Sequence, residues 1–318
     1  YMTKYIIKKV LTAIVLVLLV SFLVFILMQF LPGDPATIAL GESATAEEIQ
    51  EYRDEYGLND PVLVQYWNWI SNIILHWDFG KSVLNARDVT EYISTRLPNS
   101  VSIGLPGLVF GVIIGLIVGI VSAVKRGTWI DQTLTLIVNF FLGAPRFLVA
   151  IFGVIILALQ LHLIPLQGYT APWEDFGEYC YKAFWPIVVN AIYTVAILAR
   201  QTRSNILEVI SQDYVRTARA NGLSERKIIF KYTLKNALIP VITIIGLQMR
   251  NIVAGAVIIE NVFNIPGIGQ MLLNGIQQRD YFMVQGCVLI ISMMTVFCNL
   301  FVDIAYGFID PRIRKSMR

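Results

Sequence analysis

The stretch Val10–Leu31 reads VLTAIVLVLLVSFLVFILMQFL and carries no charged residue. A run of that length crosses the bilayer's hydrocarbon core, which takes roughly 20 apolar residues in a helix. Inside lipid, every backbone N–H and C=O must be paired within the protein, so a chain built on such runs spans as helices. Further apolar stretches cover about Val101–Val124, Gln132–Leu161, Phe184–Leu198, Ala237–Ile259 and Met283–Phe308. Hydrophobic residues make up 56% of the 318 positions and charged ones only 15%, whereas soluble domains carry roughly 25% charged residues. Mean hydropathy is +0.64. The first run exceeds the core of a signal peptide and has no small-residue cleavage site, so it reads as a retained helix. The expected fold is an all-α membrane protein, residues 1–318 forming one domain with six transmembrane helices.

Basic residues orient the spans, because cytoplasmic segments hold the excess of Lys and Arg. With the N-terminus inside, the cytoplasmic side receives Lys4, Lys8, Lys9, Lys125 and Arg126, the cluster from Arg200 to Lys235, and Arg312, Arg314, Lys315 and Arg318. The outer side receives only Arg53, Lys81, Arg87, Arg96, Lys182 and Arg279. Both termini are therefore expected inside. Residues 32–97 become an extracytoplasmic insert and residues 200–236 a cytoplasmic loop.

In the second span, Gly107, Gly111, Gly115 and Gly119 recur every fourth residue and make one flat stripe. Such a stripe lets a neighbouring helix backbone approach closely. Cys287 and Cys298 share one face of the last span, and with Cys180 they form no disulfide framework. His76 and His162 are the only histidines, and neither lies in a metal-ligand spacing.

The insert begins with the turn cluster PGDP at 32–35. Thr45 followed by Glu48 is a capping-box signature. The segment YGLNDPVLVQYWNWISNIILHWDFGKS (56–82) is rich in Trp and Tyr, which favour the headgroup level. An acidic, aromatic insert of this size suits docking or a membrane-interface cap, and it is too small for a catalytic domain. The Gly80-Lys81-Ser82 triplet lacks the earlier glycine of a phosphate loop, since Leu75 stands there. The chain thus shows no nucleotide site of its own.

Two arginines fall inside apolar runs: Arg146 in the third and Arg250 in the fifth. Both are expected roughly 20 Å from the cytoplasmic ends of their spans at 1.5 Å per residue. An intramembrane arginine is costly and marks a functional site by default. Gln248 and Asn251 share a polar face beside Arg250. These four residues are candidates for a translocation path. Arg146 and Arg250 could instead snorkel or pair with Glu260 or Asp303.

Residues 213–240 read DYVRTARANGLSERKIIFKYTLKNALIP, a basic, helix-prone segment between two spans. Ser211 or Asp213 is expected to cap a helix that ends at Gly222, where glycine tolerates the left-handed conformation. Ser224 is expected to cap a second helix leading into the fifth span. Tyr214, Val215, Ala218 and Gly222 are placed on one face, with Arg216 and Arg219 beside it. Composition alone leaves three uses open: a solvated connector, an anionic-lipid anchor, or a helix seated in a partner's groove.

This segment resembles the cytoplasmic loop of permease subunits in binding-protein-dependent ABC importers, in the form seen in the dipeptide, oligopeptide and nickel branch. LPGDP (31–35), RLPNSVSIG (96–104), IENVFNIPGIGQMLLNGIQQRDY (259–281) and FIDPRIR (308–314) are similar to the same branch. The match departs from the general loop pattern at Arg216 and Thr217, and GAPRFLVA (143–150) departs at Arg146. The resemblance implies the transmembrane fold of type I ABC importers in a bacterial or archaeal cytoplasmic membrane. It implies a second permease, two ATPase subunits and an extracytoplasmic binding protein as partners, and no nucleic acid. ATP and magnesium would be bound by the ATPases, and no cofactor by this chain. Asp213, Tyr214, Val215, Arg216, Thr217, Ala218, Arg219, Ala220, Gly222 and Leu223 would form the ATPase-coupling element. The implied cargo is short peptides, with nickel chelates or glutathione as the alternative.

Overall fold

A computed structural model describes residues 2–30, 33–41, 43–249 and 251–309. Helix α1 (Met2–Gln29) is the first span. The insert forms α2 (Pro35–Leu40), α3 (Ala46–Glu55) and α4 (Val62–His76). The second span is α5 (Val89–Val124), which starts well before the apolar run. Then come α6 (Trp129–Gly143) and α7 (Arg146–Gly153), the latter running on into a π-helical turn, Val154–Gln160. The long α8 (Phe176–Ile210) leads to a short helix, α9 (Asp213–Ala220). The return passes through α10 (Glu225–Lys227), a π-helical turn (Ile228–Thr233), α11 (Leu234–Ala237) and α12 (Ile239–Met249). Short helices α13 (Asn251–Ala254) and α14 (Val257–Phe263) and the longer α15 (Ile268–Gln278) precede the last span, α16 (Tyr281–Ile309).

Among the described residues, four helices are long and apolar enough to cross a membrane singly: α1, α5, α8 and α16. The other two spans are broken. The third run bends by 106° between α6 and α7, and the fifth by 50° between α11 and α12. Pro145 forces the first break, since proline cannot continue a helix and drives its predecessor into extended backbone. Ala144, just before it, has φ −76° and ψ 126°. The expected third span, Gln132–Leu161, is therefore not one rod. Lipid tolerates broken helices only where neighbouring elements cover them.

The spine is the seam between α5 and α8. A Cβ added at Gly107, Gly111, Gly115 or Gly119 would lie 2.6–2.9 Å from Asn190, Thr194, Leu198 and Thr202 respectively. Those partners also recur every fourth residue, so two straight ridges mesh along one line. The stripe is thus a close-packing surface, as its spacing predicts.

Buried polar groups pin the ends of this spine. At the cytoplasmic end, the Asp131 carboxylate on α6 accepts both Nε (2.8 Å) and Nη2 (2.9 Å) of Arg203 on α8. It also accepts from Ser122 Oγ and from the Gly127 amide at 3.0 Å. At the outer end, Glu260 is fully buried and accepts from the Gly269 (2.7 Å) and Gln270 (3.0 Å) amides. Those N–H groups open α15, where a carboxylate complements the helix dipole. Gly267 is obligatory there, because an added Cβ would come 2.3 Å from Cδ of Glu260.

The insert is not a free-standing cap. Tyr66 on α4 donates to or accepts from Ser21 Oγ at 2.8 Å and packs edge-on against Phe22, its ring centroid 5.1 Å away. Ser21 lies about 12 Å below the outer end of α1 at 1.5 Å per residue. Helix α4 therefore lies back along α1, with Leu63, Trp67, Ile74 and Leu75 exposed on its outer side. Asp280 ties the loop before α5 to the start of α16 by accepting from Ser82 Oγ and the Val83 amide. The capping box at Thr45 and Glu48 forms as expected, with both reciprocal bonds present. Cys287 and Cys298 are buried and Cys180 is exposed.

Candidate functional site

Helix α9 sits apart from the membrane core on a small apolar cluster of its own. Val215, Ala218 and Ile228 are buried there, and Leu223 packs against them. The expected face of Tyr214, Val215, Ala218 and Gly222 is thus split. Val215 and Ala218 point inward onto this chain, while Tyr214 and Gly222 are exposed. The outward face carries Asp213, Arg216, Thr217 and Ala220, spaced one helical turn apart. Neither expected side chain caps the helix: Gln212 occupies the N-cap without a side-chain bond. Ser224 is the N-cap of α10, also without a side-chain bond.

Short polar contacts stiffen this element. Arg219 donates to both Glu225 oxygens, at 2.6 and 3.2 Å, closing the loop around Gly222. That bond holds the Arg219 guanidinium above its ordinary pKa range. Asn236 Nδ2 donates to Tyr214 Oη at 2.9 Å, fastening α9 to the return helix. Arg216 and Asp213 approach to 3.6 Å, one turn apart on the solvent side. Gly222 has φ +74°, the left-handed conformation expected of it, and nothing lies within 4 Å of where its Cβ would stand. Its backbone angle, and not lack of room, is what requires glycine.

The candidate path residues meet differently from the expectation. Arg146 is the first residue of α7, just past the 106° bend, and not the middle of a straight span. Its guanidinium carbon lies 4.0 Å from the centroid of the Tyr193 ring on α8, a cation–π contact. Neither Glu260 nor Asp303 partners it: Glu260 is held by α15, and Asp303 pairs with Lys9 at 2.8 Å. Asn251 Nδ2 donates to Gln248 Oε1 at 2.9 Å, and a Cβ at Gly255 would touch both Asn251 and Arg146 Nη1. The bend thus brings Arg146 close to Asn251, which bonds Gln248. Arg250 lies outside the described residues.

A family model described as the binding-protein-dependent transport system inner membrane component matches residues 111–315, and its N-terminal companion matches residues 2–104. The chain belongs to this family of ABC transporter permeases. A probable peptide ABC transporter permease of Sinorhizobium fredii is 35% identical over 98% of this chain and 100% of its own length. A putative peptide transport system permease of Brucella abortus is 36% identical over 98% and 99%. The glutathione transport system permease of Escherichia coli strain K12 is 35% identical over the same shares. Among solved structures, the inward-facing MetNI methionine ABC transporter aligns with a TM-score of 0.55 and 18% identity, over 69% of this chain and 97% of that one. An amino acid ABC transporter aligns with a TM-score of 0.51 and 14% identity, over 70% and 94%. Those two likenesses fix the fold: the permease has the transmembrane architecture of type I ABC importers. It is an integral membrane protein and a transport subunit, and ATP hydrolysis belongs to partner subunits.

Sequence reading missed two of this permease's anchors. The Asp131–Arg203 bridge joins residues far apart in the chain, and only the polar residue at the edge of an apolar run signals it. Glu260 had a clearer signal, a carboxylate followed by a Pro-Gly turn and a new helix.

Proposed function

We propose that this permease forms, with a second homologous permease, the path of an ATP-driven importer for short peptides in a bacterial or archaeal cytoplasmic membrane. An extracytoplasmic binding protein delivers the peptide, and two ATPases that bind ATP and magnesium drive the cycle. The observation that carries the reading is the full-length likeness, at 35–36% identity, to permeases named for peptide transport.

The geometry of α9 supports the coupling role. Val215 and Ala218 lock the helix to its own chain, so a push on Asp213, Arg216, Thr217 and Ala220 is passed to the return helix. The Arg219–Glu225 bridge and the Tyr214–Asn236 bond keep that push from being absorbed by the loop. The π-helical turn at 228–233 and the 50° bend above it then give the fifth span two places to flex. Arg146, Gln248 and Asn251 line the path at the broken third and fifth spans, with Arg146 facing peptide carboxylates.

Glutathione is the second reading, supported by the 35% likeness to a glutathione permease; nickel chelates are a third cargo of the same machinery. Reconstitution with the neighbouring binding protein and ATPases in proteoliposomes decides among them. The expected result is ATP-dependent uptake of labelled di- or tripeptides. Uptake of glutathione or nickel with none of simple peptides would overturn the peptide assignment.

A further inference from the structure

Arg146 is half-buried within an apolar run. Among the described residues its partner is Tyr193, also half-buried, whose ring centroid lies 4.0 Å from the guanidinium carbon. Tyr193 is the central residue of α8 (Phe176–Ile210), a helix long and apolar enough to cross the membrane. A third element closes in at Gly255, just after α13. A Cβ there would lie 3.1 Å from Arg146 Nη1 and 2.6 Å from the Asn251 carbonyl oxygen. Gly255 thus leaves bare backbone where a side chain would press on the guanidinium.

This setting supports the charge without using up its donors. A guanidinium stays protonated in proteins and offers five N–H donors in a planar fork. An aromatic face offsets part of the cost of desolvation, yet one tyrosine cannot serve five donors. The chain's other inward arginine shows what does. Arg203 gives two parallel bonds to the Asp131 carboxylate, at 2.8 and 2.9 Å. No such acid reaches Arg146 among the described residues, since Glu260 serves α15 and Asp303 pairs with Lys9. Arg203 is locked by a resident carboxylate, whereas Arg146 is held by a ring that leaves its fork to a visiting one.

We propose that Tyr193 is a positioning residue that holds Arg146 as a receptor for a ligand carboxylate. The inference rests on the peptide-import reading and adds a preference exerted by the permease itself. Peptides bearing a carboxylate pass more readily than those without one.

The test uses the complete importer in proteoliposomes, with partner permease, ATPases and binding protein. Trialanine competes with its C-terminal amide, and the C-terminal amides of Ala-Ala-Glu and Ala-Ala-Gln compete in a second pair. The ratio taken up gives relative kcat/KM. The binding protein is the same throughout, so a ratio that moves between variants reports the permease. Arg146→Gln is expected to shift the ratio about tenfold toward the uncharged peptide. Tyr193→Met is expected to shift it about threefold, and Tyr193→Phe, which keeps the ring, by less than twofold. Tyr193→Leu replaces Tyr193→Met if that variant fails to assemble. A shift confined to the first pair assigns the C-terminal carboxylate, and one in both pairs assigns any carboxylate. Ratios unmoved by Arg146→Gln and Tyr193→Met overturn the proposal. An equal shift in Tyr193→Phe and Tyr193→Met overturns the role of the ring. Peptide uptake with unmoved ratios rejects the site and leaves the import reading standing. No uptake of any peptide by the unsubstituted system rejects the import reading, and the site falls with it.

Discussion

The α5–α8 seam and helix α9 are built in opposite ways. The seam has glycine on one side and a matched ridge on the other, with backbone within reach of any added carbon. It has almost no freedom to shift. Helix α9 is held by four apolar side chains and a few polar contacts, and most of its surface is open. The proposed coupling role fits that contrast: a rigid spine defines the body, and a lightly fastened helix is the part a partner would move.

Substitutions can break that contrast in order of size. Gly119→Leu should be the most damaging, because a Cβ there already lies 2.6 Å from Thr202 Cβ and 2.7 Å from the Ala199 carbonyl oxygen. Overpacking of this kind costs about 3 kcal/mol or more when backbone must move. The yield of monodisperse protein after detergent extraction should collapse; a normal yield would show that the seam is looser than drawn. Asp131→Ala should cost about 2–3 kcal/mol, less than a fully buried pair, because the Arg203 side chain keeps 30% of its exposure. A lowered melting temperature in detergent, partly restored by Arg203→Met in the same protein, is the expected readout.

Changes at the lever should spare the body. Ala218→Glu puts a charge into the Val215–Ile228 cluster and should lift α9 off its seat. Membrane insertion and melting temperature should stay near normal while ATP hydrolysis continues without uptake. Coupled transport in this variant would sink the proposed role of α9. Ala220→Glu, on the outward face, touches none of that cluster and should leave stability within about 0.5 kcal/mol. Its effect, if the face meets a partner, is weaker co-purification of the ATPase. Gly222→Ala should be mildest for transport, although a Cβ in left-handed backbone with open space around it costs about 1 kcal/mol of stability. Uptake should fall less than twofold. A tenfold loss would mean that a partner's surface approaches Gly222 closely.

Much of this was legible in the chain because lipid imposes simple rules. Apolar length marked the spans, basic residues set their direction, and the spacing of four glycines announced a tight helix contact. The capping box at Thr45 and the left-handed Gly222 were also readable, since both depend on neighbours in sequence. What failed to show were features set by distant residues. The bend at Pro145 was visible as a proline, yet the run 132–161 was apolar enough to read as one rod. The inward turn of Val215 and Ala218 depended on Ile228, across the loop. The return of α4 along α1 depended on Tyr66 finding Ser21.

The sequence by itself determined that this protein lives in a bilayer and where its apolar spans run. Those follow from transfer energies that each segment meets alone. Only the tertiary structure decided which side of α9 packs onto its own chain and where Arg146 sits. Those depend on which distant surfaces meet, and hydropathy and spacing do not carry that information.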